Sequence, residues 1–116
     1  MRYIALVLRW AIGFALTLAL ETPVYALGLR RWMPARRAAL WSVALNLLTH
    51  PAAWALTRAW SWPRFAAVEM GVWLLEAAVL AVLIVALPAP RASVSARVVV
   101  VAFTANALSA GFGLLI

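Results

Sequence analysis

Four long apolar stretches alternate with short polar segments along the chain. A helix needs roughly 20 apolar residues to cross the hydrocarbon core of a bilayer, and each stretch has about that length. Backbone groups in lipid must find hydrogen-bond partners within their own segment, so each crossing is expected to be helical. The predicted crossings are residues 10–29, 38–56, 65–87 and 94–116, with an interfacial lead-in over residues 3–8.

The connections between these stretches are short and contain both arginine and proline: RRWMPARR, TRAWSWPR and PAPRASVSAR. Such short loops force consecutive helices to run antiparallel. The predicted fold class is therefore all-α. We expect a polytopic membrane protein whose single domain, residues 1–116, is a four-helix transmembrane bundle built as two αα-hairpins.

The two predicted hairpins carry similar polar motifs. A Leu-Glu pair occurs at residues 20–21 and again at 75–76, and Asn-x-x-Thr at 46–49 matches Asn-x-x-Ser at 106–109. The first and third helices point the same way, so this pattern predicts a parallel internal repeat about an axis along the membrane normal. The alternative is a chance match of short strings.

Composition places the chain in a membrane. Hydrophobic residues make up 68% of its 116 residues, charged residues only 11%, and the mean hydropathy is +1.02. A soluble domain of this size could not bury so much apolar surface, so the lipid bilayer is the expected partner. The net charge of +7 comes from arginines clustered between apolar stretches, which is typical of membrane-flanking charge and not of a nucleic-acid surface. The absence of cysteine excludes disulfides and thiolate metal sites.

The distribution of arginine predicts which side of the membrane each loop occupies. The first and third loops hold six arginines, whereas the N-terminus and second loop hold four. By the positive-inside rule we expect the first and third loops inside and both termini outside, in a bacterial inner membrane. Five tryptophans near predicted helix ends are expected to act as interfacial anchors: Trp32, Trp41, Trp54, Trp60 and Trp62.

All three acidic residues of the chain fall inside predicted crossings. A charge at the bilayer centre costs about 2.5–3.5 kcal/mol on insertion scales, so these carboxyls should face protein or water, or carry a proton. We therefore predict a cation or proton site formed by Glu21, His50, Glu69 and Glu76. The supporting polar residues are Asn46, Thr49, Asn106 and Ser109.

Three interpretations fit this cluster: a metal site, a proton relay, and polar contacts without a ligand. Carboxylate and imidazole together suit a divalent metal ion, so the same four residues are its candidate ligands. A proton relay needs the same groups within hydrogen-bond distance of one another. Pro23 and Pro51 each free a backbone carbonyl nearby, which would add a ligand or simply bend the helix. The third interpretation is polar contacts that join helices and bind nothing, which fits Asn46 and Asn106 best.

Glu76 is the deepest acid, and we expect Glu76→Gln to abolish activity while leaving insertion intact.

At ETPVYALGLRR, NLLTHPAAW, VEMGVWLLE and ANALSAGFG the chain resembles a group of small, poorly characterised bacterial four-helix membrane proteins. The similarity spans most of the chain, and the Asn-x-x-Thr-His-Pro string is its most distinctive part. The resemblance implies a four-helix fold and brings no activity with it. Small multidrug exporters share a glutamate in the first helix but not the other two, and fluoride channels have no counterpart of the glutamates.

Three functions stay open at this point. The first is transport of a cation or of protons, and the second is an accessory or assembly subunit of a larger membrane complex. The third, an intramembrane enzyme, lacks an evident nucleophile, so we expect no enzymatic activity. Convergence of the glutamates on one cavity would favour transport over a scaffold. Because four helices enclose a narrow interior, a solute pathway is expected to need two copies, which predicts a homo-oligomer.

Overall fold

The computed structural model describes residues 1–85 and 94–114, which form four helices and no strand. The helices are α1 (Arg2–Gly28), α2 (Ala35–Leu56), α3 (Trp62–Val85) and α4 (Val94–Gly113). The predicted all-α class with four helices is therefore confirmed. The predicted end of the third helix at residue 87, most of the third loop and residues 115–116 lie outside the described residues.

Three of the helices begin earlier than the apolar stretches do. α1 is continuous from Arg2, so the predicted lead-in over residues 3–8 belongs to this helix. α2 begins directly after Pro34, whose fixed φ and missing N–H suit the position before a helix. α3 accommodates Pro63 in its first turn, where a backbone N–H would have no intrahelical partner. Apolarity marks only the hydrocarbon crossing, and the helices continue beyond it.

The helices surround a common interior. α1 packs against α2 and α4, whereas α3 packs closely against α4 and more loosely against α2, so α1 and α3 occupy opposite corners. The outer faces expose large apolar side chains such as Leu40, Leu47 and Phe103, a surface suited to lipid. By length and composition, three helices can cross a membrane: α1, α3 and residues 96–113 of α4. α2 is less apolar because it carries several of the buried polar side chains.

The apolar core fills the half of the bundle that holds the α1–α2 connection. Trp32 belongs to this core with 8% of its surface exposed, so its predicted role as an interfacial anchor is wrong. Arg97 closes this end, because its Nε donates to the carbonyl of Gly28 at 3.3 Å and its guanidinium lies 5.9 Å from the Trp32 ring centre. The buried apolar residues of the core are Tyr25, Leu29, Trp32, Met33, Ala38, Leu45, Ala77, Leu80, Ile84, Val98, Val101, Ala102 and Ala105.

We expect Gly28→Val to destabilise the bundle, because α1 and α4 approach each other closely at this glycine. A Cβ added at Gly28 would lie 2.4 Å from Cγ2 of the stiff, β-branched Val101. Overpacking a core costs about 1–3 kcal/mol, so Tm in detergent should fall by several degrees. Gly13→Val on the same helix is the control, since a Cβ there meets no atom within 4 Å. Equal losses of Tm in the two variants would contradict this packing.

Candidate functional site

Two glutamates lie buried in the middle of the bundle, on the helices at opposite corners. Glu21 of α1 is 1% exposed and Glu76 of α3 is 0% exposed. Each carboxyl forms hydrogen bonds with both neighbouring helices, α2 and α4. All the partners that residues 1–85 and 94–114 give to the two carboxyls are uncharged. The two glutamates therefore form the centre of a polar layer without an arginine partner among these contacts.

Glu21 accepts one hydrogen bond on each carboxyl oxygen. Asn46 Nδ2 on α2 donates to Oε2 at 2.8 Å, and Ser109 Oγ on α4 donates to Oε1 at 2.5 Å. Asn46 Nδ2 also donates to the carbonyl of Ser42, one turn earlier in α2, at 2.9 Å. This second contact fixes the orientation of the amide, so Asn46 holds Glu21 in one position.

Glu76 has three side-chain partners. Asn106 Nδ2 donates to its Oε2 at 2.7 Å, and Thr49 Oγ1 donates to its Oε1 at 3.2 Å. The hydroxyl of Tyr25 also donates to Oε2 and so connects α1 with α3 across the bundle. Asn106 Nδ2 donates in addition to the carbonyl of Ala102 at 2.9 Å. Glu76 is therefore the more completely enclosed of the two glutamates.

Glu21 and Glu76 have corresponding hydrogen-bond partners in the two halves of the chain, the first of which contains α1 and α2 and the second α3 and α4. Each accepts from the asparagine of its own half and from the hydroxyl of the other half, Ser109 for Glu21 and Thr49 for Glu76. Each asparagine also bonds to the carbonyl four residues earlier. Tyr25 has no equivalent, because the corresponding position four residues after Glu76 is Leu80.

Each of the two hydroxyls in this layer also has a backbone acceptor within reach. Thr49 Oγ1 lies 2.9 Å from the carbonyl of Leu45, and Ser109 Oγ lies 3.2 Å from the carbonyl of Asn106. A hydroxyl donates one proton and also accepts. It can donate to a charged carboxylate, or it can turn its proton to the backbone carbonyl and accept from a protonated carboxyl. Both charge states of each glutamate are therefore provided with hydrogen-bond partners.

A cavity of about 660 Å³ extends from the polar layer towards the end of the bundle that holds the N-terminus and the α2–α3 connection. Glu21 lies at its inner end, whereas Glu76 does not line it. Glu69 lies on its wall, seven residues or about 10 Å along α3 from Glu76. Arg9 lies closer to the mouth than Glu21 does, twelve residues or about 18 Å along α1 from it. The cavity therefore has acidic groups at its inner end and on its wall.

The walls of the cavity are largely apolar and aromatic. Trp54, Trp60 and Phe65 line it on the α2 and α3 side. His50 is half-buried, and its ring centre lies 5.3 Å from that of Phe14. In the described part of the chain, the buried Nε2 of His50 has no hydrogen-bond partner. Because this nitrogen is itself buried, it does not face the open cavity.

The structure brings together most of the predicted site. Glu21, His50 and Glu69 line the cavity, whereas Glu76 lies next to it in the polar layer. No group of three or more histidine or acidic side chains within residues 1–85 and 94–114 is placed to hold a metal ion, so the four predicted metal ligands do not surround one site. The supporting residues all line the cavity and bond to a glutamate: Asn46, Thr49, Asn106 and Ser109.

The two prolines do not have the role considered from the sequence, and one residue of the site was not predicted. Pro23 and Pro51 lie on exposed faces of their helices and do not line the cavity, so the structure does not support carbonyl ligands freed by proline. Sequence reasoning missed Tyr25, the third partner of Glu76. A signal was present, because Tyr25 stands four residues after Glu21 and so shares its helix face.

The fold and the site define a small helical membrane protein with a carboxyl-containing interior. A comparison of the chain with protein-family models, with curated proteins and with solved structures finds no match. The resemblance to small bacterial four-helix membrane proteins therefore stays a prediction.

Proposed function

We propose that this protein is a membrane transport protein that binds protons or a cation at Glu21 and moves them across the bilayer. The observation that supports the proposal best is the position of Glu21, a buried carboxyl at the inner end of a cavity. Its partner Ser109 can satisfy both the charged and the protonated carboxyl, as a site that gains and loses a proton requires.

Electrostatics supports the same role. A charged carboxylate buried without a cation is strongly unfavourable in a low-dielectric interior. The described hydrogen-bond partners of Glu21, Asn46 and Ser109, are uncharged. A proton or a cation that enters through the cavity removes this penalty. Glu21 is therefore a natural binding point for either, whereas a contact that only joined helices could use amides and hydroxyls alone.

The asymmetry of the bundle favours a carrier over an open channel. The cavity occupies one half, and the other half is filled by apolar side chains such as Leu29, Leu80 and Val98, each 0% exposed. A carrier that exposes its site to one side of the membrane at a time would have this arrangement in one of its states. Movement of the closed half would then complete the transport cycle.

We also propose the finer topology predicted from the sequence: four crossings as two hairpins that form a parallel repeat, in a bacterial inner membrane. The matching contacts of Glu21 and Glu76 support the repeat. The arginine distribution supports both termini outside, which would open the cavity to the outside. The homo-oligomer or larger membrane complex predicted from the sequence is likewise a proposal.

Proton uptake by liposomes tests the proposed function. We expect purified protein in liposomes that contain a pH-sensitive dye to admit protons faster than protein-free liposomes. The proton gradient is imposed under two conditions. With the membrane potential clamped, the dye reports transport of protons alone. With a cation on the opposite side of the membrane, it reports exchange of protons for that cation. Dye signals and cation uptake that both equal those of protein-free liposomes under all conditions would contradict the proposal.

A further inference from the structure

We infer that the ligand of the cavity is an organic cation, an ammonium group attached to an apolar body, which competes with a proton for Glu21. This inference rests on the proposed function and names the substrate class of the same site. It follows from the size of the cavity, the chemistry of its walls and the placement of its charges.

The size of the cavity fits an organic molecule better than a metal ion. Its volume of about 660 Å³ lies within the range of roughly 300–1,000 Å³ that is common for small-molecule sites. A bare metal ion needs several ligands that converge at about 2 Å. The described part of the chain has no such group of three acidic or histidine side chains. The cavity therefore suits a molecule that side chains surround better than a metal ion that they coordinate directly.

The walls of the cavity suit an apolar body with a positive charge. Trp54, Trp60 and Phe65 present aromatic rings along one side. Aromatic faces attract ammonium groups within about 6 Å of the ring centre, and tryptophan does so most strongly. Arg58 lies 5.4 Å from the Trp54 ring centre but does not line the cavity. Aliphatic side chains of α1, Leu6, Ile12 and Leu16, complete the wall.

The charges of the cavity favour a cation at its inner end. Glu21 lies at that end, Glu69 lies on the wall nearer the mouth, and Glu76 adds a third carboxyl in the polar layer. The guanidinium-bearing Arg9 is about 18 Å along α1 from Glu21, so it opposes a cation there only weakly.

Binding at Glu21 links the cation to a proton. When Glu21 is protonated, entry of an ammonium group releases that proton to water and leaves an ammonium–carboxylate pair. One positive charge leaves as one arrives, so the buried site stays neutral overall. Ser109 then turns its hydroxyl from the backbone carbonyl to the carboxylate.

Titration calorimetry of the purified protein with benzyltrimethylammonium tests this inference. The neutral carbon isostere neopentylbenzene is the matched control for charge, and Mn²⁺ is the control for a metal ligand. Repeating the titration in buffers of different ionisation enthalpy counts the protons released. We expect saturable binding of the ammonium, no comparable binding of the isostere, and release of about one proton per cation where Glu21 is protonated.

Variants locate the site. Glu21→Gln should weaken ammonium binding about tenfold or more and remove the proton release. Trp54→Leu should weaken binding a few-fold and keep the proton release. Leu47→Ala, at an exposed position outside the cavity lining, serves as the control and should change affinity by less than either variant.

The outcomes separate the ligand class from the proposed function. Equal binding of the ammonium and its isostere, or binding of Mn²⁺ alone, overturns the organic-cation inference, and proton uptake by liposomes would still support transport. Ammonium binding that Glu21→Gln leaves unchanged overturns the assignment of the site. Ammonium binding to wild type without proton release, together with no proton uptake by liposomes, overturns the proposed proton-linked function.

Discussion

Glu21→Gln should abolish proton-linked transport in liposomes, while Glu76→Gln should retain most of it. The two glutamates occupy equivalent positions in the polar layer, but the cavity reaches only Glu21. Glutamine has the size of glutamate and cannot bind and release the proton. The sequence alone predicts loss of activity for Glu76→Gln. Because the cavity reaches Glu21 and not Glu76, we now expect that loss for Glu21→Gln.

Glutamine fits both positions, so the comparison isolates chemistry from folding. At Glu21, a glutamine oxygen can accept from Asn46 while its NH₂ donates to Ser109, whose proton turns to the backbone. At Glu76, the oxygen can accept from Tyr25 while the NH₂ donates to Thr49. Both variants should keep the Tm of wild type within a few degrees. Transport lost in Glu76→Gln and kept in Glu21→Gln would reverse the assignment.

Glu76→Ala should be the most destabilising change in the polar layer. It removes the acceptor shared by Tyr25, Thr49 and Asn106 and leaves the buried Tyr25 hydroxyl without its partner. An unsatisfied buried donor costs about 1–3 kcal/mol, and the lost volume adds to it, so we expect about 2–4 kcal/mol in the free energy of unfolding. Denaturant unfolding in detergent measures this difference.

Two matched variants complete that test. Glu76→Gln preserves the volume and the acceptor, so its free energy of unfolding should stay within about 1 kcal/mol of wild type. Glu69→Ala removes a half-buried carboxyl from the cavity wall and should have an effect smaller than Glu76→Ala. Similar losses in Glu76→Ala and Glu76→Gln would contradict the hydrogen-bonding role of the carboxyl.

The polar layer was predictable from the sequence because acidic and amide residues stand out within apolar stretches. Helical spacing placed Asn46 and His50 on one face of α2, and Asn106 and Ser109 on one face of α4. Three of these four now bond to a glutamate. His50 instead packs against the aromatic rings of Trp10 and Phe14 on α1. The spacing of residues along α2 does not indicate which side chains of α1 lie beside it.

The division of the bundle into a packed half and a cavity could not be predicted in the same way. Whether four helices meet or leave a space depends on the summed volumes of side chains from all four, and periodicity on one helix does not contain that information. Gly28 illustrates this point, since it allows α1 to approach Val101 at the closed end, while Gly13 on the same helix lines the cavity. Trp32 was predicted to be an interfacial anchor because it lies near a predicted helix end, a position that anchors share with buried residues.

Infrared difference spectroscopy of the purified protein tests most directly whether Glu21 gains and loses a proton. The carbonyl stretching band of a protonated carboxylic acid should appear and disappear as pH changes in wild type. We predict that one component of this change is absent in Glu21→Gln and present in both Glu69→Gln and Glu76→Gln. A change that keeps every component in Glu21→Gln and loses one in Glu76→Gln would contradict the account.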